Sequence, residues 1–98
     1  MGMRLPLRLF KVMDSSMEPG FKMGDYLIVS GLHGRVQEGD VVMLKHPYRK
    51  EHLVKRVKSA ENRRYYVTSD NDTVVGEDSR EFGHVGDEHI VGKVLFKW

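Results

Sequence analysis

Cysteine is absent from the 98 residues, which excludes a disulfide framework, a thiolate metal site and a cysteine nucleophile. Long apolar runs are missing as well. No segment approaches the ~18 consecutive apolar residues of a membrane span. The opening stretch carries Arg4 and Arg8 among its leucines, which interrupts the pattern of a secretory signal. Dense charge of one sign is also lacking: the net charge is +2, and Arg49-Lys50 and Arg63-Arg64 are short pairs flanked by polar residues. Such a balance predicts no nucleic-acid partner. The five histidines show no metal spacing such as His-x-x-x-His, so neither a metal nor another cofactor is predicted.

What is present is a globular composition, 40% hydrophobic and 31% charged, sufficient for one modest core. Residues 1–98 read as one domain with no transmembrane segment and no second domain. A soluble, cytoplasmic chain is the expectation, with membrane association only through an anchor outside it.

The apolar pattern is β throughout. Leu7 to Met13 is strand-like, and Asp25 to Val29 is a compact apolar run between Gly24 and Gly31. Val41 to Leu44, Leu53 to Val57, and Tyr65 to Thr68 are further strands, the last two joined through an Asn62-Arg63 turn. Ile90-Val91 and Val94 to Phe96 close the chain around Gly92. One helical turn is predicted, over Glu18 to Lys22. Gly24-Asp25 and Gly39-Asp40 read as turn signals ahead of strands. The stretch from Ser69 to Gly86 is the longest without clear β pattern, and loops of that length are often functional.

Two residues carry the candidate chemistry. Ser16 opens Ser16-Met17-Glu18-Pro19, a tight turn that would expose its hydroxyl and leave nearby backbone N–H groups free to bind an oxyanion. Taken alone, the tetrapeptide reads more simply as a helix cap. Lys55 shares a strand face with Leu53 and Val57. A lysine buried there loses its proton near neutral pH and can act as a base. The strand pattern alone leaves a lysine snorkelling to solvent equally open. Arg56 points the other way and stays protonated, so it cannot serve as the base.

Taken in order, the segments Val12 to Pro19, Gly24 to Val29, Gly39 to Val42, Val54-Lys55-Arg56-Val57, Ser69-Asp70-Asn71, Asp78 to Val85 and Ile90 to Val94 resemble the bacterial type I signal peptidase domain and the LexA-like autoproteases. The resemblance runs from Phe10 to Val94. It implies Ser16 as nucleophile, Lys55 as general base and the Ser16 backbone N–H as an oxyanion donor. Asp70-Asn71 and Asp78-Ser79-Arg80 match the late box that shapes and braces the site, with Asp78 holding Arg80 near the lysine. The implied fold is a small, twisted, mostly antiparallel β-domain with at most one short helical turn. The implied substrates are extended leader or signal-like peptides with small residues near the scissile bond, and no cofactor is involved. In size the chain is similar to the minimal proteases that trim the leader of nickel-type superoxide dismutase.

The chain departs from the family pattern at four places. Asp14 stands where a glycine or a hydroxyl donor is usual, so it belongs to the oxyanion region with Ser16 and Ser79. Gly76 stands where a serine often orients the lysine, leaving Ser79 and Thr73 as substitutes. Ser69 replaces a glycine, and the segment between Asn71 and Asp78 is about one residue longer. Archaeal and endoplasmic-reticulum relatives use histidine as the base, but the Val-x-Arg-Val frame here holds Lys55. His52 falls on the opposite strand face, and His33, His46, His84 and His89 read as surface or loop residues. Two other functions remain open at this stage: a self-cleaving switch of the LexA kind, and a catalytically weak peptide-binding β-domain. The first usually requires an Ala-Gly ahead of the serine; the only alanine here is Ala60.

Overall fold

The apolar runs form seven strands: β1 Leu7–Lys11, β2 Tyr26–Ser30, β3 Val41–Lys45, β4 His52–Glu61, β5 Arg64–Thr68, β6 Val85–Gly86 and β7 Ile90–Lys97. The computed structural model describes residues 7–32, 34–74 and 76–98; His33 lies outside them. Antiparallel ladders join the strands into one curled sheet in the order β1-β2-β7-β3-β4-β5-β6. The all-β class expected from the sequence is the class observed. Among the described residues no helix is long and apolar enough to cross a membrane.

Among the described residues helical structure is confined to α1, the four-residue turn Ser79–Phe82, and a 3-10 turn at Asp87–His89. This corrects the helical turn predicted over Glu18 to Lys22. There Glu18 N–H closes onto the Ser15 carbonyl at 3.2 Å and Phe21 N–H onto the Met17 carbonyl at 3.0 Å, with no regular helix. Pro19 offers no N–H and disfavours helical backbone at Glu18. The helical turn forms instead behind Asp78, whose carboxylate caps it by accepting from Arg80 N–H at 2.9 Å. α1 and β6 also subdivide the stretch from Ser69 to Gly86.

The two Gly-Asp signals build the same turn twice. Gly24 and Gly39 take φ of +93° and +94°, where a side chain is strained. The following aspartates close each turn: Asp25 Oδ2 accepts from Lys22 N–H and Asp40 Oδ2 from Gln37 N–H, both at 2.8 Å. The β4–β5 hairpin turns through Asn62 and Arg63, both left-handed, at φ of 53° and 59°, as a two-residue hairpin connection requires.

Curling gives the central strands two buried faces. Val42, Leu44, Leu53, Val57, Tyr65 and Val67 pack with Phe82 and Val85 in one core. Val12, Met17, Leu27, Val29, Met43 and Val54 form the other. β3 and β4 therefore divide their side chains between the cores by strand alternation. His46, read from the sequence as a surface or loop residue, is only 5% exposed. Its Nδ1 accepts from Tyr48 N–H at 3.0 Å, and its ring packs edge-on against Phe82, which draws it inside.

Candidate active site

Ser16 comes from the turn after β1 and is buried. Met17 anchors that turn by filling the second core. The residues that follow β5 hold it from the other side. Asn71 N–H donates to the Ser16 carbonyl at 2.9 Å, and Asn71 Nδ2 donates to the Ser15 carbonyl at 2.9 Å. Asp70 N–H approaches Met17 Sδ at 3.4 Å.

Lys55 lies in mid-β4 between Leu53 and Val57, and only 1% of it is exposed. Its Nζ donates to Ser69 Oγ at 3.0 Å, a buried contact. Among the described residues no hydrogen bond joins Lys55 to Ser16. Burial pushes the amine below the usual lysine range; Asp14, Asp78 and Glu77 oppose that shift and Arg80 adds to it. The segment 69–71 thus holds both candidates, the lysine through Ser69 and the serine main chain through Asn71.

Asp14 joins the same place. Its Oδ1 accepts from Ser16 N–H at 3.0 Å, the donor that the sequence resemblance assigns to an oxyanion. The pairing is a local two-residue turn of the kind aspartate favours. The carboxylate is also close enough to Lys55 to support its protonated form.

Asp78 is completely buried. One oxygen accepts from Ser69 N–H at 3.0 Å, and the guanidinium of Arg80 grips the carboxylate with its shortest contact at 2.7 Å. Burial pushes this carboxyl up, yet the bonds from Arg80 and from the Ser69 and Arg80 N–H groups outweigh it and hold it below its ordinary value. Ser79, named from the sequence for the oxyanion region or for orienting the lysine, turns its buried Oγ to Val67 N–H at 2.8 Å. Thr73 Oγ1 donates to Asn71 Oδ1 at 2.7 Å. Neither hydroxyl meets Lys55. Arg56 forks onto Asp70, with contacts of 2.9 and 2.8 Å, and so ties β4 to the same segment.

Sequence reasoning missed Ser69 as the partner of Lys55. The available signal was a pair of departures from the pattern of the resembled family, a serine present at 69 and absent at 76. It also missed that Asp14 would bond the Ser16 N–H itself. Beside Ser16 opens a cleft of about 210 Å³ with walls from Phe10, Val12, Phe21 and Val54; Asp14 and His52 add polar groups to it. Among the described residues no cluster of histidine and acidic side chains is arranged to hold a metal ion.

No curated protein matches the chain. The sequence profile of the peptidase S24-like family matches it over residues 5–95, which takes in all seven strands up to Leu95. With an all-β fold and a match of that extent, the chain belongs to the peptidase S24-like family, whose fold is that of the Ser/Lys-type peptidases and autoproteases related to LexA and signal peptidase.

Proposed function

We propose that this chain is a serine endopeptidase in which Ser16 is the nucleophile and Lys55 the general base. The observation that carries the reading is the burial of Lys55. An amine almost wholly removed from water, in a network that also clamps the serine turn, is poised to be neutral and to accept a proton. Ser16 Oγ attacks the peptide carbonyl and Lys55 Nζ takes the hydroxyl proton. The C–N bond then breaks, the same proton passes to the leaving amine, and water hydrolyses the acyl-enzyme. The proposed substrate is an extended leader-type peptide with small residues near the cut and an apolar side chain directed into the cleft beside Ser16.

The test compares wild type, Ser16→Ala and Lys55→Ala on internally quenched peptides carrying alanine before the scissile bond. Wild type cleaves, and each variant loses at least about 100-fold in kcat. Equal rates in all three, or no cleavage by wild type, would remove the dyad. A peptide-binding domain of the same fold is the second reading, favoured by the Asp14 carboxylate on Ser16 N–H. It predicts peptide binding without turnover. The self-cleaving alternative predicts loss of intact mass at alkaline pH, and the chain has no Ala-Gly to serve as its cut site.

A further inference from the structure

We infer that Ser69 is the positioning residue for Lys55, fixing the amine so that its lone pair is left for the Ser16 hydroxyl. The inference rests on the Ser16/Lys55 reading and extends it to a residue that takes no part in the proton transfer itself. A neutral amine has two N–H groups and one lone pair, and its orientation is set by whichever acceptor takes an N–H. Four side-chain torsions place Nζ, and a buried hydroxyl at 3.0 Å restricts that freedom at the point where proton transfer needs it restricted.

Ser69 is itself held rigidly. It is 7% exposed, and its N–H donates to the buried Asp78, which Arg80 grips. Two residues on, Asn71 N–H holds the Ser16 carbonyl. One short run of backbone therefore sets the position of both reacting side chains. The nearby hydroxyls of Ser79 and Thr73 are committed to Val67 and Asn71. A serine at position 76 would be strained, because Gly76 sits at φ +88° and a Cβ there would lie 3.3 Å from Glu81 Oε2. Ser69 is thus the hydroxyl that meets Lys55 among the described residues.

The experiment measures kcat, KM and the pH–rate profile on the same alanine-containing peptides for wild type, Ser69→Ala, Ser69→Thr and Ser69→Gly. It is paired with an NMR titration of the Lys55 ε-carbon. Removing the hydroxyl lowers kcat about 10–100-fold, as a misplacement of roughly 1 Å does, and leaves KM within about twofold. The acid limb of the profile and the Lys55 titration both move to lower pH, because the ammonium form loses an acceptor. Ser69→Thr, which keeps the hydroxyl, recovers most of the rate. Ser69→Gly supplies a second removal if Ser69→Ala folds poorly. Unchanged kcat and unchanged titration in both removal variants, with Ser16→Ala and Lys55→Ala inactive, would overturn the role of Ser69 while the dyad stands. Cleavage by Lys55→Ala at the wild-type rate would overturn both, and a Lys55 titration that still moved would then mark a structural contact alone.

Discussion

Under the proposed dyad, Asp14 puts a carboxylate on the Ser16 N–H that would serve as an oxyanion donor. The contact is short and local, so it forms readily in the free protein. A developing oxyanion must displace it and then tolerate a negative neighbour, which opposes the stabilisation that an oxyanion donor provides. Asp14→Gly frees the donor and Asp14→Ser adds a hydroxyl beside it. Each is expected to raise kcat about tenfold or more, since a single oxyanion donor is worth roughly 10²–10³. Asp14→Asn, which keeps the acceptor without its charge, gains less. The same substitutions remove a carboxylate that supports the Lys55 ammonium, so the acid limb of the pH–rate profile moves to lower pH. A loss of activity in all three would show that Asp14 serves the reaction. Lys55 itself carries a cost in stability. Its folded-state proton affinity lies below the ordinary 10.5. Between those two values the unfolded chain binds more protons, so stability rises with pH across that interval and is lowest beneath it. Lys55→Met is expected to be about 1–2 kcal/mol more stable than wild type at neutral pH. That advantage shrinks as pH approaches 10.5, as urea melts at the two pH values would read. A methionine variant less stable at every pH would contradict the assignment.

At the scale of elements, the β4–β5 turn places two non-glycine residues, Asn62 and Arg63, in the left-handed region. Asn62 tolerates the left-handed region, but Arg63 does so at a cost of about 1 kcal/mol, and its ion pair with Asp87 is 3.7 Å long and 86% exposed on the arginine side. Arg63→Gly should stabilise the hairpin by up to about 1 kcal/mol, which thermal melts can resolve; a lower Tm would mean that the ion pair outweighs the backbone term. The strands were legible in the sequence because each is an apolar run bounded by turn residues, and in a curled sheet even the central ones keep that signature. The helical turn was not. Ser16 and Pro19 look like a helix start, whereas the cap that forms a helix is Asp78, inside a segment with no apolar period to reveal it. The partner of Lys55 was hidden for a related reason. Strand alternation predicts a burial face, but nothing local to β4 says which hydroxyl arrives from a loop 14 residues away.

At the scale of the molecule, the two cores share one set of strands. Val42 and Leu44 belong to one core and Met43 to the other; Leu53 and Val57 face one and Val54 the other. Neither core can come apart without exposing the strands that seal its neighbour. Val85→Ala in the first core and Val29→Ala in the second are each expected to cost about 2 kcal/mol and to leave one cooperative transition. Near- and far-ultraviolet dichroism that melted at different temperatures would separate the cores. Asn71 clasps the serine turn, and Asp78 binds back to Ser69, so the stretch between Asn71 and Asp78 begins and ends on the segment that holds the candidate site. A residue inserted between them is therefore expected to leave the Asn71 and Ser69 contacts in place.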